Sequence, residues 1–141
     1  MRAVDAVLIF LSSRTGKDAR MRVLIVEDEL KMASLIRRGL VEEGHAADVA
    51  RTGEDALWMA EAAPYDAVVL DVNLPYLDGP ELCRRIKSDP VTRRLPVLIL
   101  TAATQDENRQ RCLDAGADAD LTKPFSPLAL LDLIDKHLGA Q

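Results

Sequence analysis

Four short phrases in the 141-residue sequence carry side chains that could do chemistry together. Glu27, Asp28 and Glu29 follow one apolar run, Asp71 follows a second with Asn73 two positions on, Thr101 closes a third, and Lys123 stands before Pro124 after a fourth. Each phrase alone has a plain explanation. Acids such as Glu27 and Asp28 suit a helix N-terminus, where the macrodipole favours negative charge; a lone Thr101 is a cap and a lone Lys123 a solvated surface lysine. Brought to one rim, the same residues amount to several carboxylates, one hydroxyl and one ammonium. Crowded carboxylates repel one another unless a proton or cation intervenes. A sparse all-oxygen ligand set suits Mg²⁺, which keeps waters and also contacts phosphate.

The elements that must position these residues are legible in the hydropathy pattern. Residues 23–26 and 97–100 are continuous apolar runs rich in Val, Ile and Leu, and residues 66–70 are apolar after Asp66, the mark of strands buried on both faces. Residues 46–50 and 119–122 are weaker strand candidates. Between them the period shifts to that of helices: from Leu30 to a stop at Gly44, from a Thr52 cap with Asp55 three positions on towards Pro64, from Pro80 to Ser88, from about Asp106 to Ala115 with a stop at Gly116, and from Ser126 to Leu138. Strands alternating with helices predict an α/β fold, (βα)₅, with a parallel five-stranded sheet between two helical layers. In such sheets ligands bind beyond the carboxyl ends of the strands, where the four phrases fall.

Composition narrows the class. Apolar residues make up 48% and charged residues 29%, which is globular composition and excludes a disordered or collagen-like chain. No apolar run approaches the ~18 residues of a membrane span, and residues 6–11 are short for a secretory segment. The net charge of −5 argues against a nucleic-acid surface. The two cysteines, Cys83 and Cys112, lie in helix-like segments and read as reduced, buried small hydrophobes. A cytoplasmic protein that binds neither membrane nor DNA directly is expected. His45 and His137 match no motif and read as surface groups.

The phrases Val26-Glu27-Asp28-Glu29, Leu70-Asp71-Val72-Asn73-Leu74-Pro75 with Asp78-Gly79, Leu100-Thr101-Ala102 and Lys123-Pro124-Phe125, at their spacing, resemble the receiver domain of bacterial two-component response regulators over residues 21–141. The resemblance implies a flavodoxin-like fold with strand order 2-1-3-4-5. It implies Asp71 as phospho-acceptor, with Thr101 and Lys123 bonding phosphoryl oxygens. It implies Mg²⁺ held by Asp28, by Asp71 and by the backbone carbonyl of Asn73, with Glu27 acting mainly through water. It also implies a cis peptide before Pro124. The donor would be a phosphohistidine on a sensor histidine kinase or a histidine phosphotransfer protein. Asp120 stands where many receivers carry an aromatic or His whose rotamer follows the threonine, so that readout is in question here. Ala119, Ala129 and Leu133 occupy positions where dimer-forming charges of winged-helix regulators are expected, which argues against that symmetric dimer.

The expected function is a stand-alone receiver: a phosphorylatable switch, not a turnover enzyme, that docks onto a downstream protein. A Leu-rich last helix, with Leu128, Leu130, Leu131, Leu133, Ile134 and Leu138, is a candidate surface for that partner or for self-association. The alternatives are a phosphate sink or shuttle in a phosphorelay, and the receiver part of a DNA-binding regulator. A small Mg²⁺-dependent phosphatase is disfavoured because Asp71 is followed by Val72-Asn73-Leu74 rather than by x-Asp-x-Thr. Residues 1–20 carry Arg2, Arg14, Lys17 and Arg20 against Asp5 and Asp18 and are expected to be an extension, disordered or an upstream start. Gly16-Lys17 there lacks the flanking residues of a P-loop.

Overall fold

A computed structural model describes residues 21–75 and 77–138; the extension expected over residues 1–20 lies outside the described residues. The chain alternates strand and helix throughout: β1 (Arg22–Val26), α1 (Leu30–Glu42), β2 (Ala46–Ala50), α2 (Gly53–Ala62), β3 (Ala67–Asp71), α3 (Gly79–Ser88), β4 (Val97–Thr101), α4 (Asp106–Asp114), β5 (Ala119–Thr122) and α5 (Pro127–Leu138). All strands are parallel, in the order β2-β1-β3-β4-β5. The expected order is therefore the observed one, and the carboxyl ends of all five strands share one edge.

The local signals act as their chemistry requires. Thr52 accepts from the Asp55 N–H at 3.1 Å and Asp78 accepts from Glu81 N–H at 2.9 Å, each capping its helix. Ser126 Oγ accepts from Ala129 N–H at 3.1 Å and so satisfies a free donor at the start of α5. Gly44 and Gly116 sit at φ of 90° and 112°, conformations that L side chains resist, and each follows the end of a helix.

β3 and β4 are buried along their whole length, since helices cover both faces of the sheet. One apolar cluster lies under α2, α3 and α4 and includes Ala56, Leu82, Ile86 and Cys112. The other lies under α1 and α5 and includes Ile36, Leu40, Leu130 and Ile134. Leu130, Leu131 and Ile134 are thus core residues, and Leu133 packs against the same cluster. The Leu-rich face expected to be open for a partner is largely spent on the sheet, and of its leucines Leu128 stands out at 64% exposure. Cys83 and Cys112 are free and buried, as expected, and burial pushes their thiols up to about 11 and about 12. His45 is engaged instead of merely exposed: its Nδ1 accepts from the Met21 N–H at 3.3 Å.

Candidate functional site

β1, β3, β4 and β5 each deliver one element of the rim. The Glu27 N–H bonds Ala50 O at 3.0 Å, which carries the β1–β2 ladder one residue past β1 and turns Glu27 inward. Asp71 is the last residue of β3, in register with Leu100, so Thr101 begins one step beyond it on β4. Lys123 N–H donates to Thr101 O at 2.7 Å, tying the end of β5 to the same level. The Lys123–Pro124 peptide is cis, as the resemblance implies.

The side chains converge. Lys123 Nζ lies 3.4 Å from Asp71 Oδ2 and 3.8 Å from Glu27 Oε2. Carboxylate oxygens of Glu27, Asp28 and Asp71 all lie within 4.8 Å of one another, and among the described residues no other such group is present. Glu27 and Thr101 are each 1% exposed, whereas Asp28 reaches solvent at the rim. Local bonds aim the two buried acids: Glu29 N–H donates to Glu27 Oε1 and Asn73 N–H to Asp71 Oδ1, both at 3.1 Å. Glu29, the residue before α1, makes no side-chain cap bond of its own.

The loop after β3 is held by Gly79. A Cβ on that residue would come within 2.6 Å of Val72 Cα, too close for any side chain, so glycine lets the start of α3 close over Val72. Gly79 N–H donates to Val72 O at 3.3 Å in the same contact. This fixes the chain on both sides of Asn73.

The acidic site is charge-frustrated as it stands. Among the described residues, Glu27 Oε2 is the buried side-chain oxygen without a hydrogen-bond partner. Burial first, and then the charge of Asp71, raise Glu27 to about 7; the Glu29 N–H and Lys123 only partly oppose this. An orphaned carboxylate oxygen facing two other carboxylates fits a hard divalent cation with oxygen ligands. The residues present therefore fit Mg²⁺, and Glu27, Asp28 and Asp71 are the groups that would hold it, with the Asn73 carbonyl added only by the resemblance.

The raised Glu27 sets a pH dependence. Its folded value exceeds the ordinary one, so without metal the folded protein binds the extra proton over about pH 4.5–7. The stabilisation is present below that window and is lost as pH rises through it. Mg²⁺ competes with this proton, so its affinity should fall by roughly 20-fold between pH 7.5 and 5.5. Mg²⁺ titrations across that range check this, and Glu27→Gln should flatten the profile.

Asp120 was flagged as a departure, and the structure supplies its partner, which the sequence did not reveal. Arg109 Nε of α4 donates to Asp120 Oδ2 at 2.7 Å, so an ion pair occupies the place of the aromatic. Asp120 lies on β5 opposite Ile99, two residues before Thr101 on β4.

Comparison with known proteins agrees with this geometry. The chain is 47% identical over 111 residues to the transcriptional regulatory protein TcrA of Mycobacterium tuberculosis, covering 79% of this chain and 43% of TcrA. It is 38% identical over 106 residues to the transcriptional regulatory protein ResD of Bacillus subtilis, covering 75% of this chain and 43% of ResD. The chain thus spans less than half the length of these relatives. Among solved structures, the receiver domain of the sensor histidine kinase PA1611 from Pseudomonas aeruginosa, with a magnesium ion coordinated in its active-site cleft, superposes with a TM-score of 0.80. It is 33% identical, with 86% of this chain and 99% of that one covered. The chemotaxis protein CheY4 of Vibrio cholerae gives 0.78 at 30% identity, covering 84% and 98%. Phosphorylation and Mg²⁺ binding are characteristic of these receivers, and no helix among the described residues is long and apolar enough to cross a membrane. Residues 23–135 match the response regulator receiver domain, and the chain belongs to that family of two-component signalling proteins.

Proposed function

We propose that Asp71 accepts a phosphoryl group from a phosphohistidine of a sensor kinase or phosphotransfer protein, and that the modified chain signals by docking onto a downstream protein. The observation that carries this is the pairing of one cation, Lys123, with Asp71 at 3.4 Å in a pocket of three mutually close carboxylates. An Asp71 carboxylate oxygen forms the new P–O bond as the P–N bond of the phosphohistidine breaks, and the departing imidazole takes a proton from solvent. Bound Mg²⁺ would offset the charge that otherwise keeps an anionic phosphoryl group away from an anionic nucleophile. Lys123 holds a positive charge where a phosphoryl oxygen arrives, and the Thr101 hydroxyl donates to another. Phosphoryl transfer depends chiefly on such positioning and charge stabilisation. The acyl phosphate formed is open to hydrolysis, so the chain is a resettable acceptor and not a turnover enzyme. This reading places it in the cytoplasm, with its phosphodonor.

Acetyl phosphate with Mg²⁺, followed by intact mass and borohydride trapping, tests the reading. One phosphoryl adduct that maps to the Asp71 peptide is expected; no adduct, or one mapping elsewhere, overturns it. Sustained hydrolysis of unrelated phosphomonoesters would favour a phosphatase.

A second reading has an observation of its own. TcrA and ResD are named as transcriptional regulators, and this chain spans 43% of each, so it would serve equally as the receiver part of such a regulator. The size of the native polypeptide in its source cells separates the two.

A further inference from the structure

The sheet parts just above the acceptor. Leu100 O accepts from Val72 N–H at 3.2 Å on the β3 side, and Thr101 O accepts from Lys123 N–H at 2.7 Å on the β5 side. Backbone groups of a parallel strand alternate between its two neighbours. The next N–H to face β3 is therefore that of Ala102, one residue past β4, and a continued ladder would pair it with Val72 O. Instead Val72 O accepts from Gly79 N–H at 3.3 Å, and Ala102 N–H donates to Gln105 Oε1 at 2.9 Å. A backbone donor beside Thr101, on the side of the chain that carries Asp71, is held by a side chain and not by the sheet.

The turn does not need that side chain. Gln105 N–H donates to Ala102 O at 3.0 Å and closes residues 102–105 through the backbone, and Gln105, the residue before α4, makes no side-chain cap bond. What its side chain does is occupy a donor. We propose that Gln105 is a positioning residue of the acceptor site, whose Oε1 holds the Ala102 N–H while Asp71 is unmodified and gives it up to a phosphoryl oxygen.

This rests on Asp71 as the phospho-acceptor. Asp71 is in register with Leu100, so Ala102 stands two residues, about 6.6 Å, further along the strand direction, a distance that an aspartyl phosphate crosses. A phosphoryl group brings three strong acceptor oxygens, with more capacity than the Lys123 ammonium and the Thr101 hydroxyl satisfy. Hydrogen bonds to an anionic acceptor are roughly twice as strong as those between neutral groups, so a phosphoryl oxygen displaces the Gln105 amide oxygen. The exchange still breaks one bond, and Gln105 opposes phosphorylation by about the strength of a single hydrogen bond. A residue outside the four motif phrases thereby sets how readily the site is occupied.

Binding of beryllofluoride with Mg²⁺, an analogue of the acyl phosphate, tests this on the full 141-residue chain, beside labelling by acetyl phosphate. In Gln105→Ala the donor is free beforehand, so beryllofluoride affinity should rise about threefold to tenfold, the worth of one hydrogen bond. In Gln105→Glu a carboxylate holds the N–H more tightly, and affinity should fall by at least a similar factor. A side chain that merely braced the loop would give the reverse ranking, with loss in Gln105→Ala and retention in Gln105→Glu; that ranking, or no change in either variant, overturns the proposal. Amide NMR reads the donor itself. The Ala102 resonance should differ between free wild type and free Gln105→Ala and coincide once both are saturated, and resonances that stay apart at saturation overturn the proposal as well. Wild type that binds no beryllofluoride and takes up no phosphoryl group overturns the acceptor reading and this proposal together, whereas normal labelling of Asp71 with equal affinities overturns the proposal alone.

Discussion

Asp71→Asn should eliminate the phosphoryl adduct, with the rate of labelling by acetyl phosphate and Mg²⁺ falling by at least ~10³-fold while the fold is kept. The substitution is nearly isosteric, and the amide oxygen it leaves can still accept the Asn73 N–H that now bonds Asp71 Oδ1. What disappears is the anionic oxygen proposed as the nucleophile. A second effect distinguishes this outcome from simple damage. The charge of Asp71 is, after burial, the largest influence raising Glu27, so removing it should bring Glu27 back towards its ordinary range. The metal-free variant should then lose less stability than wild type as pH rises from 4.5 to 7, because its folded state, in which Glu27 is still buried, holds that extra proton less tightly. Mg²⁺ affinity should fall, since one anionic ligand is gone. A persistent adduct in this variant would move the acceptor to another residue.

The frame of this site was legible because its physics is local. β1, β3 and β4 are buried on both faces, so each appears as an unbroken apolar run, and the residue that ends the run stands on the rim. Glu27, Asp71, Thr101 and Lys123 were found for that reason, and the structure brings all four to one edge. What stayed hidden are pairings between segments far apart in sequence. Arg109 could not be matched to Asp120, nor His45 to the Met21 N–H, because neither spacing follows a helical or strand period. The last helix misled in a physically instructive way. Its leucines exceed one stripe, yet α5 lies against both the sheet and α1, so Leu130, Leu131 and Ile134 all find the core and Leu128 is left out. Helical periodicity shows how wide an apolar face is, but not how many neighbours share it.

Lys123→Ala should reduce the rate of phosphoryl transfer by about 10²–10³-fold, the usual effect of removing one preorganised charge from a developing anionic transition state. The ammonium is held where it is needed: Nζ sits 3.4 Å from Asp71 Oδ2, while the Lys123 N–H donates to Thr101 O and fixes the start of the loop. That backbone bond survives the substitution, so the rim should keep its shape. Mg²⁺ binding should move the other way. Lys123 is a cation competing for the same carboxylates, and its loss should leave metal affinity unchanged or higher above pH 7, where Glu27 is ionised. Below that pH the gain should fade, because without the ammonium Glu27 holds its proton more tightly. Labelling kinetics by intact mass and Mg²⁺ titration at two pH values read the two effects separately. Lys123→Arg should restore only part of the rate, since a planar fork does not place a point charge between Asp71 and an arriving oxygen. A parallel loss of rate and metal affinity in Lys123→Ala would show that the lysine merely supports the carboxylates, and would refute its role at the phosphoryl group.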